Sequence, residues 1–335
     1  MQHTEVLIIG GGPAGAACAW RLRNRGVDCT ILDRQPFPRA KPCAGWITPQ
    51  VLRDLELDPA EYPGGFTTFH ALHVSIRGFR FRLPTRQYAI RRWEFDDWLL
   101  RRAGVPVHRH KVDAIARAPA QAGRAYVVDG AFAAKYLVGA GGTHCPVYRA
   151  LFREDNPRDD GALIVTLEEE FAYPPADRHC ADPRCQLWFL EHGLSGYAWY
   201  VPKAGGVVNV GIGGKAETLR VNGDRLKRHW GLLLEKLDRL GLVRGHTYHP
   251  RGYAYYMRTA RRQTRPEVRR DNALIAGDAV GLATLDMGEG IGPAIRSGLL
   301  AAEAILHDSD YDLRTIPRVS LLPSLQRLGA GRRRP

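Results

Sequence analysis

The chain has 335 residues, a 44% hydrophobic composition and a formal net charge of +13, from 48 basic and 35 acidic residues. That length holds two cores, or one fold with a large insertion, and the apolar fraction suits a globular protein. No stretch approaches the ~18 unbroken apolar residues of a membrane span, and Met1–Glu5 carries no basic region ahead of its short apolar run, so we expect no signal peptide and a cytoplasmic protein.

Val6-Leu7-Ile8-Ile9 is a continuous apolar run that stops at glycine, as a buried parallel strand does. From Ala14 to Arg25 the pattern turns helical and Gly26 ends it. Cys29-Thr30-Ile31-Leu32 reads as a second strand ending at Asp33, which completes a β-α-β unit. Residues 34–45 read as an extended loop. Alternation through Leu72, Val74 and Ile76, then Phe79, Phe81 and Leu83, reads as strand with turn residues at Gly78. Residues 93–103 read as a helix, and Tyr136-Leu137-Val138 as a strand entering Gly139-Ala140-Gly141-Gly142.

Four strand-like segments between Leu163 and Gly214 predict an antiparallel sheet, followed by an amphipathic helix over 223–240. Ala273-Leu274-Ile275-Ala276 reads as a late buried strand entering Gly277-Asp278, with a helix from about 290 to 307. The Pro-interrupted basic end, with Arg332-Arg333-Arg334, reads as loosely docked. The six cysteines suit a reducing compartment; His179, Cys180 and Cys185 match no zinc spacing and read as a surface loop. The many arginines come with no nucleic-acid-reading motif, so nucleic acid is not an expected partner. They leave solvated faces and peripheral attraction to an anionic membrane as alternatives.

The expected fold class is α/β: a Rossmann-type domain with a parallel sheet, plus an inserted, mostly antiparallel β-sheet domain with helices. The nucleotide-binding domain is discontinuous over 1–68, 88–150 and 268–310. The inserted domain takes 69–87 and 151–267, and 311–335 is a basic tail.

The opening turn carries the first chemistry. Gly10 permits the tight turn, Gly12 lets backbone approach a pyrophosphate, and Gly15 lets helix and strand pack closely. The helix start at Pro13-Ala14 adds free N–H groups and a positive dipole end. Asp33 stands at about the spacing for ribose hydroxyls, with Arg34 beside it. The return segments Gly277-Asp278 and Gly288-Glu289-Gly290-Ile291-Gly292 point to FAD rather than NAD. A strand-end aspartate can accept from the ribityl chain, and a helix start there favours the reduced flavin.

With Arg92-Trp93-Glu94-Phe95-Asp96 as an R-x-x-F-D helix, the chain resembles the two-dinucleotide-binding-domain flavoproteins of the para-hydroxybenzoate hydroxylase type. Within them it is most similar to the geranylgeranyl reductase branch, through Lys41-Pro42-Cys43-Ala44-Gly45, Tyr197-Ala198-Trp199-Tyr200-Val201-Pro202-Lys203 and Asn209-Val210-Gly211-Ile212-Gly213. The resemblance spans about residues 5 to 307. It implies that Arg92 approaches the FAD pyrophosphate and that Asp278 meets ribityl and phosphate oxygens. Gly288, Gly290 and Ile291 would line the isoalloxazine, with Cys43, Ala44, Gly45 and Gly142 also at the cofactor.

On the same resemblance Cys43, Tyr197 and Trp199 are the catalytic candidates, and Tyr197, Trp199 and Pro202 line the substrate cavity. Core packing is the alternative for Trp199, a buried small hydrophobe for Cys43, and a solvated strand end for Lys203. No metal is implied. The implied reaction is reduction of carbon–carbon double bonds of an apolar, isoprenoid-like substrate. The alternatives are an FAD-dependent monooxygenase, and a non-catalytic flavin- or lipid-binding protein. Gly141 replaces the aspartate that many relatives carry, and no second glycine fingerprint opens a helix. The electron donor is therefore left between NAD(P)H and a redox partner protein.

Overall fold

The computed structural model describes residues 1–118, 126–173, 182–259 and 267–321. His179, Cys180 and Arg332–Arg334 lie outside the described residues. In chain order the elements begin with β1 (Gln2–Ile9), α1 (Pro13–Arg23), β2 (Cys29–Asp33), β3 (Trp46–Ile47), α2 (Pro49–Asp54), β4 (Thr67–Ile76), β5 (Phe79–Ala89) and α3 (Arg92–Ala103). There follow β6 (Val107–Arg109), β7 (Ile115–Arg117), β8 (Tyr126–Val128), β9 (Phe132–Gly139), α4 (Pro146–Leu151), β10 (Leu163–Ala172), β11 (Gln186–Phe189), β12 (Gly196–Lys203) and β13 (Val207–Lys215). The last are α5 (Ala216–Val221), α6 (Leu226–Arg239), β14 (Arg251–Tyr256), β15 (Arg269–Arg270), β16 (Ala273–Ile275) and α7 (Ile291–Leu306). The chain divides into two compact units. One comprises 1–39, 93–159 and 256–318; the other 40–92, 160–255 and, among the described residues, 319–321.

The first unit is built on a parallel sheet. Its strands run β15-β16-β9-β1-β2-β6, with all neighbours from β16 to β6 parallel. The reason is in β1: Val6, Leu7 and Ile8 are fully buried, so neither sheet face can meet water. Pro13 opens α1, where its missing N–H costs nothing. Helices α1 and α7 touch at Gly298, where a Cβ would fall 2.1 Å from the carbonyl oxygen of Ala14. The ends of β1, β9 and β16 thereby stand side by side, carrying the Gly10 turn, Gly141-Gly142 and Gly277-Asp278.

The expectation of a loosely docked end is corrected for the described part of that segment. Tyr311 is buried, and its hydroxyl reaches the carbonyls of Ile275 at 3.0 Å and Ser297 at 3.1 Å. Ile316 is buried too, and Arg258 donates to the carbonyls of Leu313 and Ile316. Backbone satisfaction and two apolar anchors hold a stretch that lacks regular structure.

The second unit is an eight-stranded sheet in the order β14-β10-β13-β12-β11-β4-β5-β3. From β10 to β3 it is antiparallel except where β11 runs parallel to β4. One face packs on α6: Trp188, Tyr200, Val208, Val210 and Ile212 meet Trp230, Leu233 and Leu237. Each such side chain contributes roughly 1.5–3 kcal/mol on burial. The period of two then forces Glu168, Tyr197, Trp199, Lys203, Asn209 and Gly211 onto the opposite face. Cys185, just before β11, is fully buried, and burial pushes its thiol far up, so the surface-loop reading is corrected at that residue. Among the described residues no helix is long and apolar enough to cross a membrane.

Candidate functional site

The first unit presents the glycine turn. Gly10 has φ of +112°, and a Cβ there would fall 2.4 Å from the carbonyl oxygen of Ala140. A Cβ on Gly15 would fall 1.9 Å from the Gly10 carbonyl oxygen. Protein fills both places, so both glycines serve the turn itself. Gly12 differs: within 4 Å its Cβ position meets, among the described residues, only Arg39 Nη2, at 3.4 Å. The turn is thus closed on two sides and uncovered at Gly12, beside the start of α1, as backbone approach by a pyrophosphate requires.

Arg39 was not among the expected residues. Its guanidinium lies over the Phe37 ring at 4.7 Å, and its buried Nε has no hydrogen-bond partner among the described residues. A cation held against the uncovered glycine complements a phosphate. The run Phe37-Pro38-Arg39 was its only sequence signal.

Asp33 is buried and pins the turn. Its Oδ2 accepts from the Gly11 N–H at 2.8 Å and its Oδ1 from the Gln35 N–H at 2.9 Å. Each oxygen keeps a further lone pair for a hydroxyl. Arg34, next to it, is exposed.

The return segments meet in the same unit. The Asp278 Oδ1 lies 3.5 Å from the Cβ position of Gly290, so Gly277-Asp278 and Gly288–Ile291 form one cluster. Gly277 is left-handed at φ +63° and donates to the Ser297 hydroxyl at 2.9 Å. Ile291 is buried at the start of α7, and Gly142 opens the turn after β9. Glu289 was overlooked as a site residue. Its Oε1 accepts from the Gly292 N–H at 2.6 Å, so a carboxyl of this chain caps α7. Burial lifts Glu289 to about 7, against the pull of the Gly292 N–H.

The second unit holds the cysteine loop. Trp199 is buried, and its Nε1 donates to Asn209 Oδ1 at 2.7 Å. Asn209 Nδ2 donates onward to the Cys43 carbonyl at 3.3 Å. Trp199 and Cys43 are therefore brought together by a residue that the pattern alone did not single out. The Tyr197 and Trp199 rings are 5.5 Å apart. Gly211 lets the indole lie flat on the sheet, since a Cβ there would fall 2.3 Å from Trp199 Cζ2. Cys43 and Ala44 are half-buried, while Gly45 is buried at φ +70° with its Cβ position 2.0 Å from the Ile90 carbonyl oxygen.

Lys203 is not a solvated strand end. Its side chain is fully buried and its Nζ donates to Glu170 Oε2, while Arg91 pairs with Glu170 at 3.5 Å. Glu168 lies on the same face. It is buried, and its Oε2 has no hydrogen-bond partner among the described residues. Burial drives its carboxyl up to about 8, against the attraction of Lys203 and Arg92. Arg92, implied to approach a pyrophosphate, is itself buried and groups with this unit, its charge acting on Glu168.

The FAD dependent oxidoreductase family pattern matches residues 5–100. The chain is 24% identical over 326 residues to the geranylgeranyl diphosphate reductase of Rhodobacter capsulatus, covering 90% of this chain and 75% of the relative. It is 28% identical over 362 residues to the menaquinone reductase of Mycobacterium tuberculosis, covering 98% and 82%. Among solved structures it resembles a geranylgeranyl bacteriochlorophyll reductase-like protein from Thermoplasma acidophilum, with TM-score 0.75, 20% identity and coverage of 99% of this chain and 84% of that one. The flavin-dependent halogenase CmlS gives TM-score 0.69 at 21% identity, with coverage of 91% and 58%. The chain is similar to each of these, and the structural likenesses show a shared fold.

Proposed function

We propose that this FAD-dependent oxidoreductase, similar to the geranylgeranyl reductases, adds hydrogen across carbon–carbon double bonds of an apolar, isoprenoid-like substrate. The observation that carries the reading is the bonded chain Trp199–Asn209–Cys43. It ties the aromatic strand and the cysteine loop into one arrangement through Asn209, so that all three motifs resembling that branch meet there. The relatives' names point to prenyl chains as the substrate class: one is a geranylgeranyl diphosphate reductase and another a menaquinone reductase.

FAD, when bound, supplies a hydride equivalent. The chain's own residues do the rest. In this reading Gly10, Gly12, Pro13, Ala14 and Gly15 hold the pyrophosphate with the start of α1, and Arg39 contributes charge. Asp33 takes the ribose, Asp278 the ribityl chain, and Gly288, Gly290, Ile291 and Gly142 the flavin. Tyr197 and Trp199 hold the apolar chain by shape and exclude water. Cys43 Sγ–H delivers a proton to the carbon that does not receive the hydride, and the thiolate left behind regains a proton from solvent. Asn209 fixes where that thiol stands.

An apolar substrate of this kind resides in a bilayer, and the net charge of +13 suits a cytoplasmic protein peripheral to an anionic membrane. The test is anaerobic: reduce the bound flavin, add geranylgeranyl lipids or menaquinone, and follow flavin reoxidation with product mass. Reoxidation with saturated product, lost in Cys43→Ala while the flavin remains reducible, is expected. Substrate-stimulated oxygen uptake with a hydroxylated product would instead establish a monooxygenase.

A further inference from the structure

The hairpin between β4 and β5 ends in solvent. Phe79 is 75% exposed at its tip, and Ile76 and Leu190 are 40% and 41% exposed. Ile76 pairs with Phe79 across the hairpin and with Phe189 on β11, the residue before Leu190. Ile76 and Phe79 make an exposed apolar point at the end of the sheet, with exposed Leu190 at the neighbouring strand end. Such a group on a globular surface calls for a partner.

The charge around it is of one sign. Residues 62–93 contain no aspartate or glutamate and six arginines. Arg77, Arg80 and Arg82, which surround the tip, are all exposed. The acids flanking β11 are already paired, Glu191 with Lys236 and Asp182 with Arg184.

The register adds a second observation. Phe79, Ile76, Phe189 and Tyr197 are successive cross-strand partners on one sheet face. The Phe189 and Tyr197 rings stack at 4.8 Å, and Tyr197 is the neighbour of Trp199. An apolar row therefore runs along the second unit from the exposed tip to the catalytic candidates.

We propose that this hairpin docks the protein on a bilayer containing anionic lipid. Phe79, Ile76 and Leu190 enter the boundary between headgroups and acyl chains, and Arg77, Arg80 and Arg82 lie against the lipid phosphates. The apolar row then receives the substrate's chain, a step that rests on the reading of an apolar substrate. Bilayer is favoured over single-stranded nucleic acid because Ile76 and Leu190 have no ring on which a base could stack. It is favoured over a protein because three side chains fall short of the ~800 Å² per partner of a stable interface.

The experiment sediments the FAD-loaded protein with vesicles of phosphatidylcholine alone, or of phosphatidylcholine with phosphatidylglycerol. Binding to the anionic vesicles only, weakened by salt, is expected. Phe79→Ser should weaken it about tenfold. The triple change Arg77→Gln, Arg80→Gln, Arg82→Gln should weaken it about a hundredfold. Bound-flavin absorbance and circular dichroism check the fold. As a variant that keeps the aromatic, Phe79→Trp should shift its emission to the blue on anionic vesicles.

No sedimentation, sedimentation unchanged in both variants, no emission shift, or tighter binding to a single-stranded oligonucleotide than to vesicles would each overturn the proposal. The readout is partition rather than turnover, so it can fail while the proposed reaction stands, and the reverse.

Discussion

Replacing Glu168 by glutamine tests the buried polar face of the second sheet. The glutamine keeps the shape of the side chain and cannot ionise. In the unfolded chain the Glu168 carboxyl titrates near its ordinary 4.5, and in the folded protein burial holds it near 8. Between those values the unfolded chain ionises while the folded protein stays protonated, so the wild type loses stability as pH rises from about 4.5 to about 8. The loss is complete above the folded value and absent below the unfolded one.

At ~1.36 kcal/mol per pH unit of separation, the stability of Glu168→Gln relative to wild type should rise by about 3 kcal/mol between about pH 5.5 and about pH 8.5. Urea unfolding followed by tryptophan fluorescence at the two pH values measures it. Every other titrating group, Glu289 included, is common to both proteins and cancels in the difference. A difference that is the same at both pH values, or that moves in favour of the wild type at high pH, would refute the reasoning.

Three further outcomes follow from named contacts. Asn209→Ala removes the acceptor of Trp199 Nε1 and the donor to the Cys43 carbonyl; it should cost about 1–3 kcal/mol by leaving a buried indole N–H unpaired. The freed loop should make Cys43 alkylate several times faster in a background where Cys180 is serine. Arg39→Ala removes the cation beside Gly12, and FAD affinity, read by fluorescence on titrating the stripped protein, should fall about tenfold, the ~1.5 kcal/mol of one charged hydrogen bond. Glu289→Ala strips the cap from α7 and should lower stability by about 1 kcal/mol near neutral pH in urea unfolding.

The parallel core was legible because burial on both faces leaves an unbroken apolar run, as in Val6–Ile9 and Ala273–Ile275. The glycine turn was legible because its neighbours, a strand before and a helix after, constrain it. The roles of its glycines separated only in space: protein fills the Cβ positions of Gly10 and Gly15 and leaves that of Gly12 nearly uncovered. Arg39 stood in no motif, and Asn209 and Glu289 stood in motifs without a role of their own, for a shared reason. Each acts through a partner remote in sequence or through a backbone group, and neither leaves a spacing to read.

Lys203 was undecided because a strand-end lysine reads as solvated until Glu170, on a strand thirty-odd residues earlier, is placed beside it. Glu168 sits in the acidic run Glu168-Glu169-Glu170, which suggests a wet edge, yet the period of two turns Glu168 inward. The docking of Tyr311 was hidden because an irregular segment carries no periodicity, and its anchors are carbonyls of β16 and α7. The parallel pairing of β11 with β4 joins strands more than a hundred residues apart, a distance that local pattern does not reach.

The most direct measurement is mass spectrometry of a geranylgeranyl lipid after anaerobic incubation with the protein carrying chemically reduced FAD. The expected product is heavier by two hydrogen atoms for each double bond reduced, matched by flavin reoxidation, with no such product from Cys43→Ala and its flavin still reduced. Unchanged lipid beside flavin that stays reduced, or product that gains oxygen once air is admitted, would contradict the proposed reaction.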